Sequence, residues 1–172
     1  MGRVLSSGRR VGAHRRGLPY GAGSHSAGAP SLLQVIRFLL DTNVASFLTK
    51  GISPPLMRRF RDTNKSDAAI STITEAEMRF GLALLPSEAK VWRTVPPFLR
   101  EIAIEPWDSR CATRYAELAA RLRRTGHPMS AFDTMIAAHA LAYDFTLVTN
   151  DKAFARIKGL RVEDWTKGPQ RA

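Results

Sequence analysis

The sequence has 172 residues, a formal net charge of +11 and a single cysteine, Cys111. This length allows one domain with a sizeable hydrophobic core, whereas one cysteine excludes an internal disulfide framework and fits a reducing compartment. No apolar run approaches the ~18 residues that a membrane span requires, and the excess of 26 Lys and Arg over 15 Asp and Glu indicates a polyanionic partner.

Residues 1–34 differ in composition from the rest of the chain. They hold five arginines, seven of the twelve glycines and no acidic residue. Such a segment buries too little apolar surface to offset its chain entropy, so we expect it to be a disordered extension. It lacks the apolar stretch of a secretory signal, and an organelle transit peptide stays open as an alternative. We expect one domain over 35–167 and a short tail over 168–172.

Strands and helices alternate from Val35 onward. The residue patterns predict strands over 35–41, 68–72, 101–105, 145–149 and 160–163, and helices over 44–50, 54–65, 74–85, 88–99, 109–124, 130–143 and 152–157. This order of elements predicts an α/β fold in three layers, with a central parallel sheet of about five strands flanked by helices.

Four acidic residues stand near the ends of the predicted strands. Asp41 ends the first strand, in FLLDTN, and Asp151 follows the fourth, in FTLVTND. Glu77 lies on the helix after the second strand, and Asp133 lies in the first turn of the helix before the fourth. Because sites in open α/β sheets form outside the carboxyl ends of the strands, these four are candidate site residues.

Three of the acids also have a structural interpretation as helix caps. Glu77 completes a capping box whose N-cap would be Thr74, and Asp133 stands in the same relation to Ser130. Asp151 is placed to cap the short helix that follows it. Capping alone is therefore an alternative to a site role for each of these residues.

Helical periodicity favours a site role for Glu77 and Asp133. The residues that share their helix faces are Ile73, Phe80 and Leu84 for Glu77, and Ile136, Ala137, Ala140 and Leu141 for Asp133. Both acids are therefore expected on apolar faces that point inward, whereas a capping acid can stay in water.

Carboxylates gathered at one sheet edge repel one another unless some are protonated or a cation holds them together. Oxygen ligands without a zinc-type His or Cys spacing favour Mg²⁺ or Mn²⁺. A hard divalent cation on a basic protein indicates hydrolysis of phosphate esters in nucleic acid, with a metal-activated water as nucleophile and a carboxylate as proton acceptor.

Four motifs occur in order along the chain: FLLDTNV, ISTITEAEMRFG, GHPMSAFDTMIAAHA and LVTNDKAF, with IKGLRVEDW behind them. In these motifs the chain from about Ile36 to Trp165 resembles PIN domains, and in particular the VapC-type ribonuclease toxins of bacterial toxin–antitoxin pairs.

The resemblance implies a parallel α/β sandwich in which Asp41, Glu77, Asp133 and Asp151 form an acidic quartet. Asp41 and Asp133 match the positions credited with Mg²⁺. The resemblance further implies cleavage of structured RNA such as tRNA or rRNA, neutralisation by a VapB-like antitoxin, a homodimer, and a cytoplasmic location without membrane attachment.

Two further groups of residues have open roles. The polar neighbours of the acids either orient ligands and waters or serve only in turns and caps; they are Thr42, Asn43, Ser71 and Thr149. The arginines of the helix over 109–124 either track an RNA backbone or form a solvated face; they are Arg110, Arg114, Arg121, Arg123 and Arg124. Asp108 is expected to cap this helix rather than to bind a ligand.

Two other functions are alternatives to a nuclease. A phosphatase with an aspartyl nucleophile at Asp41 usually needs a second acid two residues later, where this chain has Asn43. A non-catalytic module that binds nucleic acid or a protein partner would not depend on the acidic residues at all.

The composition of residues 1–34 leads to a first prediction, that translation starts at about Val35. Val35 directly precedes the first strand, and a GTG start codon reads as Val within a gene. We expect the intact mass of the native protein to fall short of the 19.0 kDa of the full sequence. A full-length mass would contradict this start site.

Overall fold

A computed structural model describes residues 36–168 of the chain. The predicted extension over 1–34, Val35 and the last four residues of the predicted tail lie outside the described residues. Within 36–168, no helix is both long enough and apolar enough to cross a membrane.

The core of the structure is one sheet of five parallel strands. In chain order the strands are β1 (Phe38–Leu40), β2 (Ala68–Ser71), β3 (Ala103–Glu105), β4 (Thr146–Val148) and β5 (Arg161–Glu163), and their order across the sheet is β3-β2-β1-β4-β5. Each strand is shorter than its predicted range. The predicted five-stranded parallel sheet is confirmed.

Six α-helices cover the sheet. They are α1 (Thr42–Lys50), α2 (Pro54–Asp62), α3 (Thr72–Ala83), α4 (Val95–Glu101), α5 (Ser109–Arg124) and α6 (Ala131–Tyr143). Three short 3-10 turns complete the described elements, at Lys65–Asp67, Lys90–Arg93 and Phe154–Arg156. The helix predicted over 152–157 is thus only a 3-10 turn.

The helix predicted over 88–99 is wrong as a single element. The structure has a 3-10 turn at Lys90–Arg93, and α4 starts separately at Val95. Pro96 and Pro97 explain the break, since proline lacks the N–H that a helix interior needs and is tolerated in a first turn.

β1 lies at the centre of the sheet and is buried on both faces. Leu39 belongs to the core cluster beneath α5 and α6, whereas Phe38 and Leu40 belong to the cluster beneath α1 to α4. This alternation follows from the two-residue period of a strand. Trp165 belongs to the same cluster as Phe38, and the centroids of the two rings lie 5.0 Å apart.

The strand order creates a crevice between β1 and β4. The chain leaves β1 toward β2 and β3 on one side, then returns to β4 and β5 on the other. The connections after β1 and after β4 therefore diverge at the carboxyl edge of the sheet. Such a switch point is where open α/β sheets bind ligands.

His139 joins α6 to the sheet beneath it. Its side chain is fully buried, and its Nδ1 atom lies 2.9 Å from the Ser71 hydroxyl oxygen at the end of β2. Burial lowers the pKa of His139 to about 4, although the charge of Asp108 acts in the opposite direction. Nε2 has no hydrogen-bond partner among the described residues. His139 is therefore a neutral, buried side chain at neutral pH, and it packs α6 against the end of β2.

Acidification should destabilise the fold through His139. The unfolded residue takes up a proton near pH 6.5 and the folded one only near pH 4, so stability falls as the pH drops through this interval. Between pH 7 and pH 5 the loss should be about 2 kcal/mol. Denaturant unfolding of the wild type and of His139→Gln at both pH values tests this.

The quantity to compare is each protein's own change in unfolding free energy between the two pH values. Contributions from other titrating groups, including the opposite one from Asp41, are common to both proteins and cancel. Equal changes in wild type and variant would show that His139 is not the group responsible.

Candidate active site

Asp41 is held rigidly where β1 meets α1. It is 3% exposed, and it forms the N-cap of α1. The Val44 amide donates to its Oδ1 atom over 2.7 Å, and the Thr149 hydroxyl donates to Oδ2. The cap explains why α1 begins at Thr42, two residues before its predicted start.

The environment of Asp41 disfavours its negative charge. Burial raises the pKa of Asp41, the charges of Asp133 and Asp151 add smaller contributions in the same direction, and the resulting pKa is about 6. The hydrogen bonds from Thr149 and Val44 act in the opposite direction. Three of the four predicted acids therefore share one electrostatic environment at the carboxyl edge of the sheet.

Asp151 is held through the same threonine as Asp41. Its backbone N–H donates to Thr149 Oγ1 over 3.0 Å, and its Oδ1 atom accepts the Ala153 N–H over 2.8 Å. The second bond closes a local turn at Asp151, whereas the predicted cap of the following helix is wrong, because Ala153 is the N-cap of the 3-10 turn and makes no side-chain cap bond. A role in a local turn and proximity to Asp41 therefore coexist in one residue.

Asp133 is fixed by Ser130, the N-cap of α6. The Ser130 hydroxyl accepts the Asp133 N–H over 3.0 Å and donates to Asp133 Oδ2 over 2.7 Å. The predicted cap is thus present, although the carboxylate contacts the hydroxyl rather than the Ser130 backbone. Behind Asp133, the predicted apolar face of α6 is buried at Ile136, Ala137 and Ala140.

Glu77 is positioned by a residue that neighbours Asp41 in the chain. The Thr42 hydroxyl donates to Glu77 Oε2 over 2.5 Å. The capping role predicted for Thr74 is wrong, because α3 begins two residues earlier and Ser71 is its N-cap. Thr74 is instead buried within the first turn of α3.

The face of α3 that carries Glu77 is not the buried one that we predicted. Phe80 is 65% exposed and Leu84 is 68% exposed, and the helix buries Met78 and Leu82 instead. α3 has apolar residues on more than one face, so spacing alone does not determine which face meets the core. Glu77 itself is half-buried.

The donor set fits a hard divalent cation held by few protein ligands. Among residues 36–168, no three side chains of Asp, Glu, His or Cys converge closely enough to form a ready-made metal site. A cation would nevertheless relieve the repulsion that acts on buried Asp41. Mg²⁺ commonly binds proteins through one or two carboxylates and keeps several waters.

The polar neighbours of the acids divide into two groups. Thr42 and Thr149 each donate to a carboxylate of the site, whereas Ser71 bonds His139 and Asn43 is exposed. The bond between Thr149 and Asp41 joins residues 108 positions apart. No local sequence pattern identifies such a pair. Asp108 caps α5 as expected, accepting N–H groups of the first turn.

Removing the Thr149 hydroxyl should raise the pKa of Asp41 above its value of about 6. Thr149→Val keeps the shape and the burial but deletes a hydrogen bond to the charged form. Because such a bond contributes roughly 1.5–3 kcal/mol, we expect an increase of at least one unit. NMR titration of the Asp41 carboxyl carbon measures it, with Thr146→Val on the same strand as the control. An unchanged pKa of Asp41 in Thr149→Val would show that Thr149 does not stabilise the charged form of this carboxylate.

Comparison with known families places these residues in context. The model of the PIN domain matches residues 38–160. The tRNA(fMet)-specific endonuclease VapC of Shigella flexneri is 32% identical over 133 residues, which are 77% of this chain and 100% of that protein. The protein of the same name from Salmonella typhimurium is 33% identical over 132 residues, which are 76% of this chain and 99% of that protein.

Solved structures agree with the sequence relatives. DNA-bound VapBC from Salmonella typhimurium superimposes with a TM-score of 0.70 at 33% identity, covering 76% of this chain and 98% of that one. VapBC2 from Rickettsia felis, bound to a promoter DNA fragment, superimposes with a TM-score of 0.67 at 26% identity, and the match covers 74% of this chain and 98% of that one. In its sequence over residues 38–160 and in its fold, this chain belongs to the PIN domain family and, within it, to the VapC type.

Proposed function

We propose that this protein is the endoribonuclease toxin of a toxin–antitoxin pair, hydrolysing RNA phosphodiester bonds with the help of a divalent cation. The observation that carries the proposal is the buried carboxylate of Asp41 under the charges of Asp133 and Asp151, in a chain of the VapC type.

The proposed substrate is a structured RNA, tRNA or rRNA. Two relatives that match over nearly their whole length are named tRNA(fMet)-specific endonucleases, and others are named ribonucleases. The net charge of +11 favours binding of a polyanion. Which RNA is cleaved depends on the surface around the carboxylates rather than on the carboxylates themselves.

Mg²⁺, or Mn²⁺ in its place, is the proposed cofactor, with Asp41 and Asp133 as ligands and Glu77 and Asp151 as further candidates. When bound, the cation would supply a more acidic water and shield the negative charge of the phosphate. Asp41 is suited to this role because Val44 and Thr149 fix both of its oxygens while burial disfavours its charge without a cation.

The remaining acids have oxygens available for proton transfer. Asp151 and Glu77 each use one carboxylate oxygen in a hydrogen bond within the described residues, to Ala153 and Thr42 respectively. We propose that one of these two accepts the proton of the attacking water, since a proton acceptor needs a free oxygen and a fixed position.

An aspartyl-nucleophile phosphatase is less well supported. That chemistry calls for a second acid two residues after Asp41, and Asn43 there is uncharged and exposed. A non-catalytic binding module is distinguished from the nuclease by the substitutions described below.

The proposed partners are a VapB-like antitoxin and a second copy of the chain, in the cytoplasm. Structural neighbours of this chain are VapBC complexes. Within residues 36–168, large apolar side chains are exposed at five positions, a pattern that protein partners commonly cover; they are Ile52, Phe80, Leu84, Leu85 and Phe132. Residues 1–34 are proposed to have no part in the activity.

Replacing the carboxylates should abolish cleavage and leave the fold intact. We expect Asp41→Asn and Asp133→Asn each to lower the rate of RNA cleavage at least ~100-fold, and chelation to do the same until Mg²⁺ is restored. Gel assays on bulk tRNA measure the rate, and thermal unfolding checks the fold.

Glu75→Gln is the matched control, because Glu75 lies on the same helix as Glu77 but only pairs with Arg79 at the surface. Its cleavage rate should equal that of the wild type. Cleavage that persists in chelator, or in Asp41→Asn, would contradict a metal-dependent nuclease and favour a contaminant or a binding module.

A further inference from the structure

A basic cavity lies between α5, the end of α6 and the turn that precedes β5. Its volume is about 300 Å³. Arg114 and Arg121 of α5, Leu141 near the end of α6, and the turn at Lys158 and Gly159 line it. Three cationic side chains from two separate segments thus surround one depression.

The positive charge of this cavity, here called the α5 cavity, is incompletely neutralised. Glu117 is the one acid in its lining, and it pairs with Arg114 over 3.0 Å. Arg121 and Lys158 have no salt bridge within residues 36–168, although seven ion pairs neutralise other cations there. The cavity therefore carries a net positive charge.

The α5 cavity lies away from the proposed active site. Lys158 and Gly159 come just before β5, at the amino edge of the parallel sheet, whereas Asp41 and Asp151 lie at the carboxyl edge. Leu141 follows Asp133 by eight residues on α6, which is about 12 Å along the helix. No candidate catalytic residue lines the cavity.

The backbone of the turn is adapted to this shape. Gly159 has φ 87°, a left-handed conformation that other residues adopt only with strain, and a Cβ there would come 4.0 Å from Leu141 Cδ2. That contact is an ordinary one, so glycine is required here by the backbone conformation rather than by space, and the turn brings Lys158 into the same lining as the two arginines.

The arginines extend beyond the cavity as a row. At 3.6 residues per turn, Arg110, Arg114, Arg121 and Arg124 fall within a sector of about 80° on α5 and span roughly 21 Å of its length. A row of cations matches a polymer with regularly repeated negative charges better than a single small anion.

We propose that the α5 cavity binds a backbone phosphate of the RNA substrate at a distance from the bond that is cleaved. The proposal rests on the ribonuclease function above and adds a second contact with the same polymer. This contact would retain long, folded RNA and would have no effect on an RNA too short to reach it.

An acidic segment of a protein is the other class of polyanion, and the lining favours RNA. Protein interfaces rely on exposed apolar or aromatic anchors. None of the five exposed large apolar side chains of the described residues lines the cavity. Its apolar lining, Leu118 and Leu141, is buried or partly buried in the core.

Binding of bulk tRNA to the full chain tests the proposal. The measurement uses the Asp133→Asn background in EDTA, so that the RNA stays intact, and a titration from 50 to 200 mM NaCl. Arg121→Gln with Lys158→Gln should weaken binding roughly tenfold and reduce the slope of log K against log salt by up to about two. Glu117→Gln should strengthen binding.

The matched control removes two cations of α2 that have no salt bridge within residues 36–168, as Arg58→Gln with Arg61→Gln. A loss of affinity and slope no larger than in this control would overturn the proposal. So would a cavity variant that binds tRNA normally but loses binding to polyglutamate, since the site would then take an acidic protein segment.

Cleavage assays in the otherwise wild-type chain separate this proposal from the nuclease function. The cavity variant should raise KM for tRNA with kcat unchanged, and it should cleave a tetranucleotide as the wild type does. A wild type that cleaves no RNA would refute the nuclease, whereas normal cleavage with an unchanged KM in the variant would refute only the phosphate site.

Discussion

The burial of one carboxylate at the end of the central strand is the constraint on which the site depends. Asp41 cannot leave its position, because the hydrogen bonds of β1 and the cap of α1 both hold it. Its charge is disfavoured there, and its pKa of about 6 reflects burial first and neighbouring acids second. A buried charge of this kind is costly unless it is paired, which makes the site receptive to a cation.

Two threonine hydroxyls hold acids of the candidate site in place. Thr149 donates to Asp41 and accepts from the backbone of Asp151, so one hydroxyl orients residues on either side of the β1–β4 crevice. Thr42 links α1 to Glu77 on α3. The carboxylates are thus positioned mainly by neutral donors, which hold them without cancelling the negative charge that a cation would need.

The charges of the molecule are separated in a way that suits an anionic polymer. Asp41 and Asp151 lie at the carboxyl edge of the sheet, while cations without a salt bridge among residues 36–168 lie along α5 and just before β5. RNA is repelled by bare carboxylates, so affinity must come from a bound cation or from basic surfaces elsewhere. The proposed phosphate site on α5 would be one such surface.

The sequence by itself determined the α/β class and the order of the strands and most helices, and it predicted four candidate site acids, because strand and helix periods and the placement of acids after apolar runs are local properties. Local reasoning also predicted the caps at Asp108 and Ser130. It placed Glu77 on a buried face and Thr74 at a cap, and both predictions were wrong, because several faces of α3 are apolar and only packing selects among them.

Three features of the structure join residues that lie far apart in the chain. They are the bond from Thr149 to Asp41, the pairing of Ser71 with His139 and the α5 cavity. Only the tertiary structure decides such contacts, since they depend on strand order and on how α5 and α6 pack against the sheet.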